Sequence, residues 1–343
     1  MPEYSLELPY AHGLDRVPAG FKIQPADFLV EEDLGFELTG EGEHLWVWIE
    51  KTGLNTADVA RQLAKLVGIK PENIGYAGLK DRVGITRQWF SIPTEDDLKT
   101  DALSDTKGLE LISQKRNARK LRRGSHRSNH FKITLRNVTV TESALDTLTA
   151  IMQSKGVPNY FGKQRFGHDG KNLNQAEALF AGSLARSSRY QRGLYLSAAR
   201  AFLFNQILAM RVQTGNWDQY LSGDVMALAG SASVFKSEQD DPDILPRLTA
   251  LDIHPTGPLW GAGSLVTVEE AGAQEKSLQE NFSVFTSGLE KAGLKQERRS
   301  FRLIPENLSI TPADDKCLVI EFTLPKGTFA TSVLREMVKA QGL

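Results

Sequence analysis

Asp81 stands between two cations, Lys80 and Arg82, in the run GYAGLKDRVGITRQWF at residues 75–90. Flanking cations keep a carboxylate ionised even where it is partly desolvated. A carboxylate held charged in a confined site is a candidate nucleophile or general base. Glycines frame it: Gly78 is expected to let the backbone approach another surface closely, and Gly84 to relieve the exit. The same residues also fit a plain strand-end turn, with Asp81 hydrogen-bonding its own backbone. Structural ion pairs surround carboxylates with cations too.

Two other stretches could do chemistry. Glu31, Glu32 and Asp33 are adjacent acids of the kind a glycosidase pairs. Successive strand residues point to opposite faces, so they make no facing pair, and a solvated loop is expected there. Residues 115–127, KRNARKLRRGSHR, carry Lys115, Arg116, Arg119, Lys120, Arg122, Arg123 and Arg127. A charge run is usually a solvated face. This one feeds a strand that begins with Asn129 and alternates Phe131, Ile133 and Leu135. Phosphate-contacting cations beside a stacking aromatic are the composition of RNA binders. His126 and His130 are four apart, but on a strand they share no helix face and no carboxylate accompanies them, so no metal site is expected.

The elements that must position these groups are legible in outline. Pro25 interrupts FKIQPADFLVEE, which predicts an edge strand or a bend. LWVWI, residues 45–49, predicts a buried strand. Asn55 or Thr56 caps a helix to Val67, with Gly68 as its stop and Val59 and Leu63 on its apolar face. Residues 94–107 read as irregular. Helices are predicted at 143–154, at 197–211 with Ser197 as cap, and over most of 269–293. Residues 240–246 and the glycine-rich GPLWGAG at 257–263 read as loops, the latter without the flanks of a nucleotide site. A strand at 316–324 turns through Phe329 into a helix at 331–340. GVPNYFGKQRFG, residues 156–167, sets Tyr160, Phe161, Lys163, Arg165 and Phe166 between glycines and a proline. It reads as a domain junction, either a packed aromatic turn or a hinge touching RNA.

The chain has 343 residues, 41% hydrophobic and 24% charged, as in soluble globular proteins of one or two domains. Its formal net charge is -1, so a nucleic-acid surface requires positive charge concentrated on one face. Its single cysteine, Cys317, excludes an intrachain disulfide and a cysteine-cluster metal site. With no basic n-region before a long apolar run, and no run long enough to span a bilayer, a soluble cytoplasmic protein without membrane attachment is expected.

Four stretches in order, namely KxxPxDFxVxE (Lys22, Pro25, Asp27, Phe28, Val30, Glu32), GYAGLKDRVGITRQ, GVPNYFGKQRFG and LPKGTFATSVLREMVK, resemble the signatures of the tRNA pseudouridine synthase D family. The resemblance runs from Lys22 to the C-terminus. Arg82 stands where lysine is common in the family, and Gly84 where alanine is usual. It implies an α+β pseudouridine synthase fold, a mixed and mainly antiparallel sheet with flanking helices, interrupted by an inserted α/β domain. The catalytic domain would comprise residues 1–155 and 306–343, and the inserted domain residues 156–305.

The implied reaction isomerises a uridine of tRNA to pseudouridine, at position 13 in bacterial members. It uses no cofactor or metal, and no obligatory protein partner is inferred. By resemblance Asp81 is the essential carboxylate and Lys22 its partner. Phe131 stacks on uracil, Phe28 and Phe329 border the nucleotide, and Asn129 hydrogen-bonds the substrate. Arg119, Lys120, Arg122, Arg123, Lys163 and Arg165 contact RNA. Asp81 could attack C1′, attack C6, or take a ribose proton. A non-catalytic RNA-binding or chaperone module, or a hydrolase built on Glu31, Glu32 and Asp81, remain as other readings.

Overall fold

The computed structural model describes residues 4–13, 15–99, 101–184, 186–237, 241–314 and 316–343. Its largest sheet runs, in spatial order, through strands Glu306–Asp314, Cys317–Pro325, Ser128–Arg136, Phe28–Asp33, Ile85–Pro93, His44–Thr52 and Leu109–Asn117. Phe28–Asp33 and Ile85–Pro93 are parallel, and the other neighbours in that order are antiparallel. Gly75–Tyr76 adds a short antiparallel pairing to Ile85–Pro93.

Period-two alternation gives this sheet one apolar face. On one half of it Phe28, Val30, Phe131, Ile133, Ile320 and Phe322 pack under helices Glu142–Lys155 and Ala330–Met337. On the other half Leu45, Val47, Ile49, Phe90 and Ile92 pack under helix Thr56–Leu66 through Val59, Ala60, Leu63 and Ala64. The loop at residues 77–84 that carries Asp81 meets the start of helix Thr56–Leu66 on one side and Lys22 on the other.

The chain leaves this unit at Val157–Pro158, which pairs antiparallel with Arg302–Leu303 on the way back. Entry and exit are therefore side by side. Between them lie helices Lys171–Phe180, Arg189–Gln213, Glu269–Asn281 and Ser283–Lys291, and strands Val225–Leu228, Val234–Lys236, Ile253–Leu259 and Glu297–Ser300 in one antiparallel sheet. They enclose a second core around Phe166, Phe202, Phe204, Phe285 and Phe301. Tyr4, Leu6 and Leu8 pack against this second core, so the N-terminal segment straps the two halves together. No helix of the described residues is long and apolar enough to cross a membrane.

Several local expectations give way to tertiary context. Of the two expectations at Pro25 the bend is present, as a short 3-10 turn at Pro25–Asp27, while the strand after it is interior rather than an edge. Glu31, Glu32 and Asp33 lie on that strand, not in a solvated loop. Ser197 is inside helix Arg189–Gln213, which Ser188 caps. The start of the 257–263 segment belongs to strand Ile253–Leu259. Asp240 lies outside the described residues, and a helix begins at Ile244 within the expected 240–246 loop. The last helix stops at Met337, and Val338–Lys339 instead pairs in parallel with Val17–Pro18.

Candidate active site

The loop carrying Asp81 is tied down along its length. Its first residues are held by Gly124 N–H donating to Ala77 C=O at 2.8 Å and Gln88 Nε2 donating to Gly78 C=O at 3.1 Å. Lys80 N–H donates to Thr56 Oγ1 at 2.9 Å, and that hydroxyl donates to Gln88 Oε1 at 2.8 Å. Gly53 N–H donates to Arg82 C=O at 3.0 Å. Thr56 and Gln88 are buried polar residues, so each is bound to make these bonds or leave a costly unpaired group. At the exit a β-carbon on residue 84 would meet Phe28 O at 2.3 Å, so glycine lets the loop lie against the Phe28 strand. At Gly78 a β-carbon would be 3.5 Å from His126, an ordinary contact; close approach is needed at Gly84, not at Gly78.

The cations next to Asp81 in sequence are not the ones that reach its carboxylate. Lys22 does so, donating from Nζ to Oδ2. The other oxygen, Oδ1, accepts the Val83 N–H at 3.0 Å, so the strand-end turn expected from sequence is present on one side of the same carboxylate. Burial pushes the Asp81 carboxyl up, but the Lys22 hydrogen bond, the Val83 N–H and the charges of Lys22 and Lys51 outweigh it and hold the group below the usual carboxylate value. Its side chain keeps 26% exposure, enough for a substrate to reach it.

Lys22 adopts φ 55°, in the left-handed region that costs a residue with a β-carbon roughly 1–2 kcal/mol. Its ammonium lies 3.9 Å from the Phe28 ring centroid, a cation–π contact that fixes it over the sheet. The structure thus brings Asp81, Lys22 and Phe28 together, with Phe131 next in line 6.1 Å beyond Phe28. Phe131 is 7% exposed and stacked on Phe322 at 5.4 Å, so one ring face is already occupied.

Lys80 and Arg82 have other partners. The Lys80 ammonium lies 2.9 Å from Glu32 Oε2, off the axis of a good hydrogen bond, and donates to Asn129 Oδ1. Glu32 is buried, and desolvation raises its pKa despite Lys80 and the Trp89 N–H. Asn129 Nδ2 sits 3.5 Å from Nε2 of His126, whose pKa burial pushes down to about 4, with help from the Lys80 charge. Asn129 therefore belongs to a buried polar cluster beside the Asp81 loop. Arg82 Nε donates to Gly53 C=O at 3.1 Å. Glu31 pairs with Arg87 and Asp33 with Arg127, which disperses the acidic trio among three partners.

Lys51 is a site residue that the sequence reading misses, although alternation along Leu45, Val47 and Ile49 puts it on the buried face. It is fully buried, and Nζ donates to the Asp81 backbone carbonyl at 2.7 Å and to Leu54 C=O at 2.9 Å. Desolvation lowers its pKa from 10.5 to about 8, against the attraction of Asp81.

The expected RNA contacts fall in two places. Arg119, Lys120, Arg122 and Arg123 are exposed on the segment between strands Leu109–Asn117 and Ser128–Arg136, with Arg123 stacked 3.6 Å over Tyr76. Lys163, Arg165 and Phe329 lie at the junction of the two halves. Lys163 is paired with Glu7 at 2.8 Å, and the Phe329 ring is 6.0 Å from Phe161. These residues line a cavity of about 750 Å³ whose walls also include Tyr10, Arg16, Tyr160 and Arg335 but not Asp81 or Lys22. The described residues contain no cluster of three or more His, Cys, Asp or Glu able to hold a metal ion.

The chain has counterparts among known proteins. A sequence profile described as tRNA pseudouridine synthase D (TruD) matches residues 8–173 and 170–337. A protein of Methylococcus capsulatus named tRNA pseudouridine synthase D is 43% identical over 334 residues, covering 97% of this chain and 94% of that one. One of the same name from Nitrosococcus oceani is 45% identical over 327 residues, covering 93% and 90%. A crystal structure of a Methanosarcina mazei protein given the same family name superposes with a TM-score of 0.73 at 21% identity over 96% of this chain and 95% of that one, which establishes the shared fold. Matched along nearly its whole length, the chain belongs to the tRNA pseudouridine synthase D family.

Proposed function

We propose that this protein isomerises uridine to pseudouridine in tRNA, at position 13, with Asp81 as the essential carboxylate. The observation that carries the reading is the ionised, partly accessible Asp81 carboxylate, paired with Lys22 on a loop clamped by Thr56, Gln88 and Lys51. A turn needs no such apparatus, but a reacting group held in place gains from it.

The reaction exchanges the N1–C1′ bond for a C5–C1′ bond; C5 gives up its proton to solvent and N1 takes one up, so the composition is unchanged. The target nucleotide must leave the stack first, at a cost of a few kcal/mol. An anionic Asp81 serves attack at C1′ or C6, or removal of a ribose proton. Lys22 keeps the carboxylate ionised and oriented until then. Phe28 and the small exposed part of Phe131 are assigned to the pocket wall, and Phe329, in the cavity at the junction, to the far border of the nucleotide. Asn129 is assigned to the uracil or its ribose, exchanging one of its present partners for the substrate.

The domain division proposed is residues 1–155 and 306–343 for catalysis and 156–305 for gripping tRNA beyond the target. It is supported by the adjacent entry and exit strands and by the separate second core. The cytoplasm is proposed as the compartment, where its tRNA substrate resides. Release of tritium from tRNA carrying 5-tritiated uridine tests the activity, because only substitution at C5 liberates the label. Purified protein that binds tRNA without releasing tritium would leave a non-catalytic RNA-binding module. Breakdown of the substrate without C5 exchange would indicate a hydrolase.

A further inference from the structure

At the junction of the two halves, Arg165 and Arg299 share one aromatic platform. The Arg299 guanidinium lies 4.2 Å from the Phe161 ring centroid and 5.5 Å from that of Phe204. The Arg165 guanidinium lies 5.6 Å from Phe161 and 5.6 Å from Phe329. Arg299 is locked in place by neutral acceptors: its Nη2 donates to the Asn159 side-chain oxygen, Nε to Asn159 C=O at 3.3 Å, and Nη1 to Gly327 C=O at 2.9 Å. Arg165 donates from Nη1 to Ser197 Oγ at 3.0 Å.

Neither charge has an acid against it among the described residues, whereas three other arginines do; Arg302, which also lacks one, is instead satisfied by His254 and the Leu248 and Ile253 carbonyls. Arg298 pairs with Glu275 at 2.8 Å, Arg335 with Glu336 at 2.8 Å, and Arg200 with Glu297 at 3.0 Å. Burial pushes the Arg299 pKa down to about 9, and the neighbouring Arg165 charge pushes it the same way. Burial lowers Arg165 as well. Desolvated charges are normally paired, so two unpaired guanidiniums on rigid rings are a site awaiting an anion. A third element faces the same place. Helix Ala330–Met337 starts at Phe329 with no side chain capping its first N–H groups. The Arg165 loop abuts that turn: a β-carbon on Gly162 would be 3.0 Å from Thr331 Oγ1. The positive end of the helix adds to the same field.

We propose that Arg165, Arg299 and the first turn of helix Ala330–Met337 bind a single phosphate of the RNA backbone at the junction of the two halves. The assignment rests on the tRNA-modifying function proposed above and locates one of its contacts. A phosphodiester offers the planar guanidinium two oxygens and relieves the repulsion between the two arginines. Binding tRNA would thereby join the end of the catalytic sheet, through Gly327 and Phe329, to the second half of the molecule.

Arg165→Gln is the informative variant, because it removes one charge without touching the anchors of Arg299. Its tRNA affinity is expected to fall about ten-fold at moderate salt, and the slope of log K against log salt to shrink by about 1. The free protein should melt at an equal or higher temperature than the parent, since a like-charge contact is gone. Arg165→Lys should keep the salt slope and lose only part of the affinity. A lowered melting temperature with an unchanged salt slope in Arg165→Gln would make Arg165 a structural residue and overturn the proposal. So would millimolar inorganic phosphate that raises the melting temperature of the parent yet leaves tRNA affinity untouched, the mark of a free-anion site. These readouts do not use turnover. If Arg165→Gln shows the slope change but the parent releases no tritium, the phosphate site stands and the isomerase reading is lost.

Discussion

Lys51 donates its 2.7 Å hydrogen bond to the backbone carbonyl of Asp81, and leaves the carboxylate to Lys22. Two ammonium groups thus divide the work of holding one residue. Lys22 fixes the reacting oxygens from above the sheet, and Lys51 fixes the main chain from within it.

Lys51→Met therefore tests positioning. The loop loses its tether while Asp81 and Lys22 remain, so kcat should fall on the order of 10–100-fold with KM nearly unchanged. Loss of the Lys51 charge should move the acid limb of the pH–rate profile upward, since that charge helps keep Asp81 ionised. Stability gives a second readout. The folded pKa of about 8 lies below the unfolded 10.5, so the unfolded chain binds more protons between these values. The parent should gain stability as pH rises from 8 to 10.5, and the variant should lack that gain. Urea midpoints at both ends of the window measure it. A folded variant with parental kcat and pH profile would assign Lys51 to packing alone.

Asp81→Asn should abolish tritium release while tRNA binding persists. Loss of the charged partner of Lys22 should cost about 1–3 kcal/mol at neutral pH. The difference should shrink in acid. Because the folded pKa of Asp81 is depressed, its contribution is present above the unfolded value of 3.8 and is lost as pH falls through the folded value. Parental turnover in the purified variant would falsify the assignment of Asp81.

Glu32 and Lys80 form a buried pair, with side chains 0% and 6% exposed. Glu32→Gln leaves the Lys80 ammonium without an opposing charge and should destabilise by about 3–5 kcal/mol. Adding Lys80→Met should recover most of that loss, because the pair is then replaced rather than broken. A double variant no more stable than Glu32→Gln would show that Lys80 contributes little to the cost.

Reversal of Arg119, Lys120, Arg122 and Arg123 to Glu should weaken tRNA binding and flatten its salt dependence, with little change in melting temperature. These side chains are exposed, and the segment's backbone remains held by Leu121 N–H on Ser91 Oγ at 2.9 Å. Counterion release sets the size of the slope change, about 0.9 for each duplex phosphate that is no longer neutralised. An unchanged slope removes this segment from the RNA face.

Sequence alone specifies the elements whose signals are local. Asn55, Val59, Leu63 and Gly68 define the helix Thr56–Leu66, because caps and apolar spacing act within a few residues. The glycine-framed run around Asp81, with its family signature, marks the candidate site for the same reason. The partners of Asp81 were only half legible. Lys22 follows only from the family resemblance. The adjacent cations Lys80 and Arg82 turn to Glu32, Asn129 and Gly53. Adjacency in a chain says little about which face a side chain takes, and the strands carrying Glu32 and Asn129 reach Lys80 only after the sheet forms. Lys51 and Arg299 carry no local signal as site residues. Fixed neighbours give each its importance, fully burying Lys51 and half-burying Arg299 against Asn159, Phe161 and Gly327, and tertiary packing decides both.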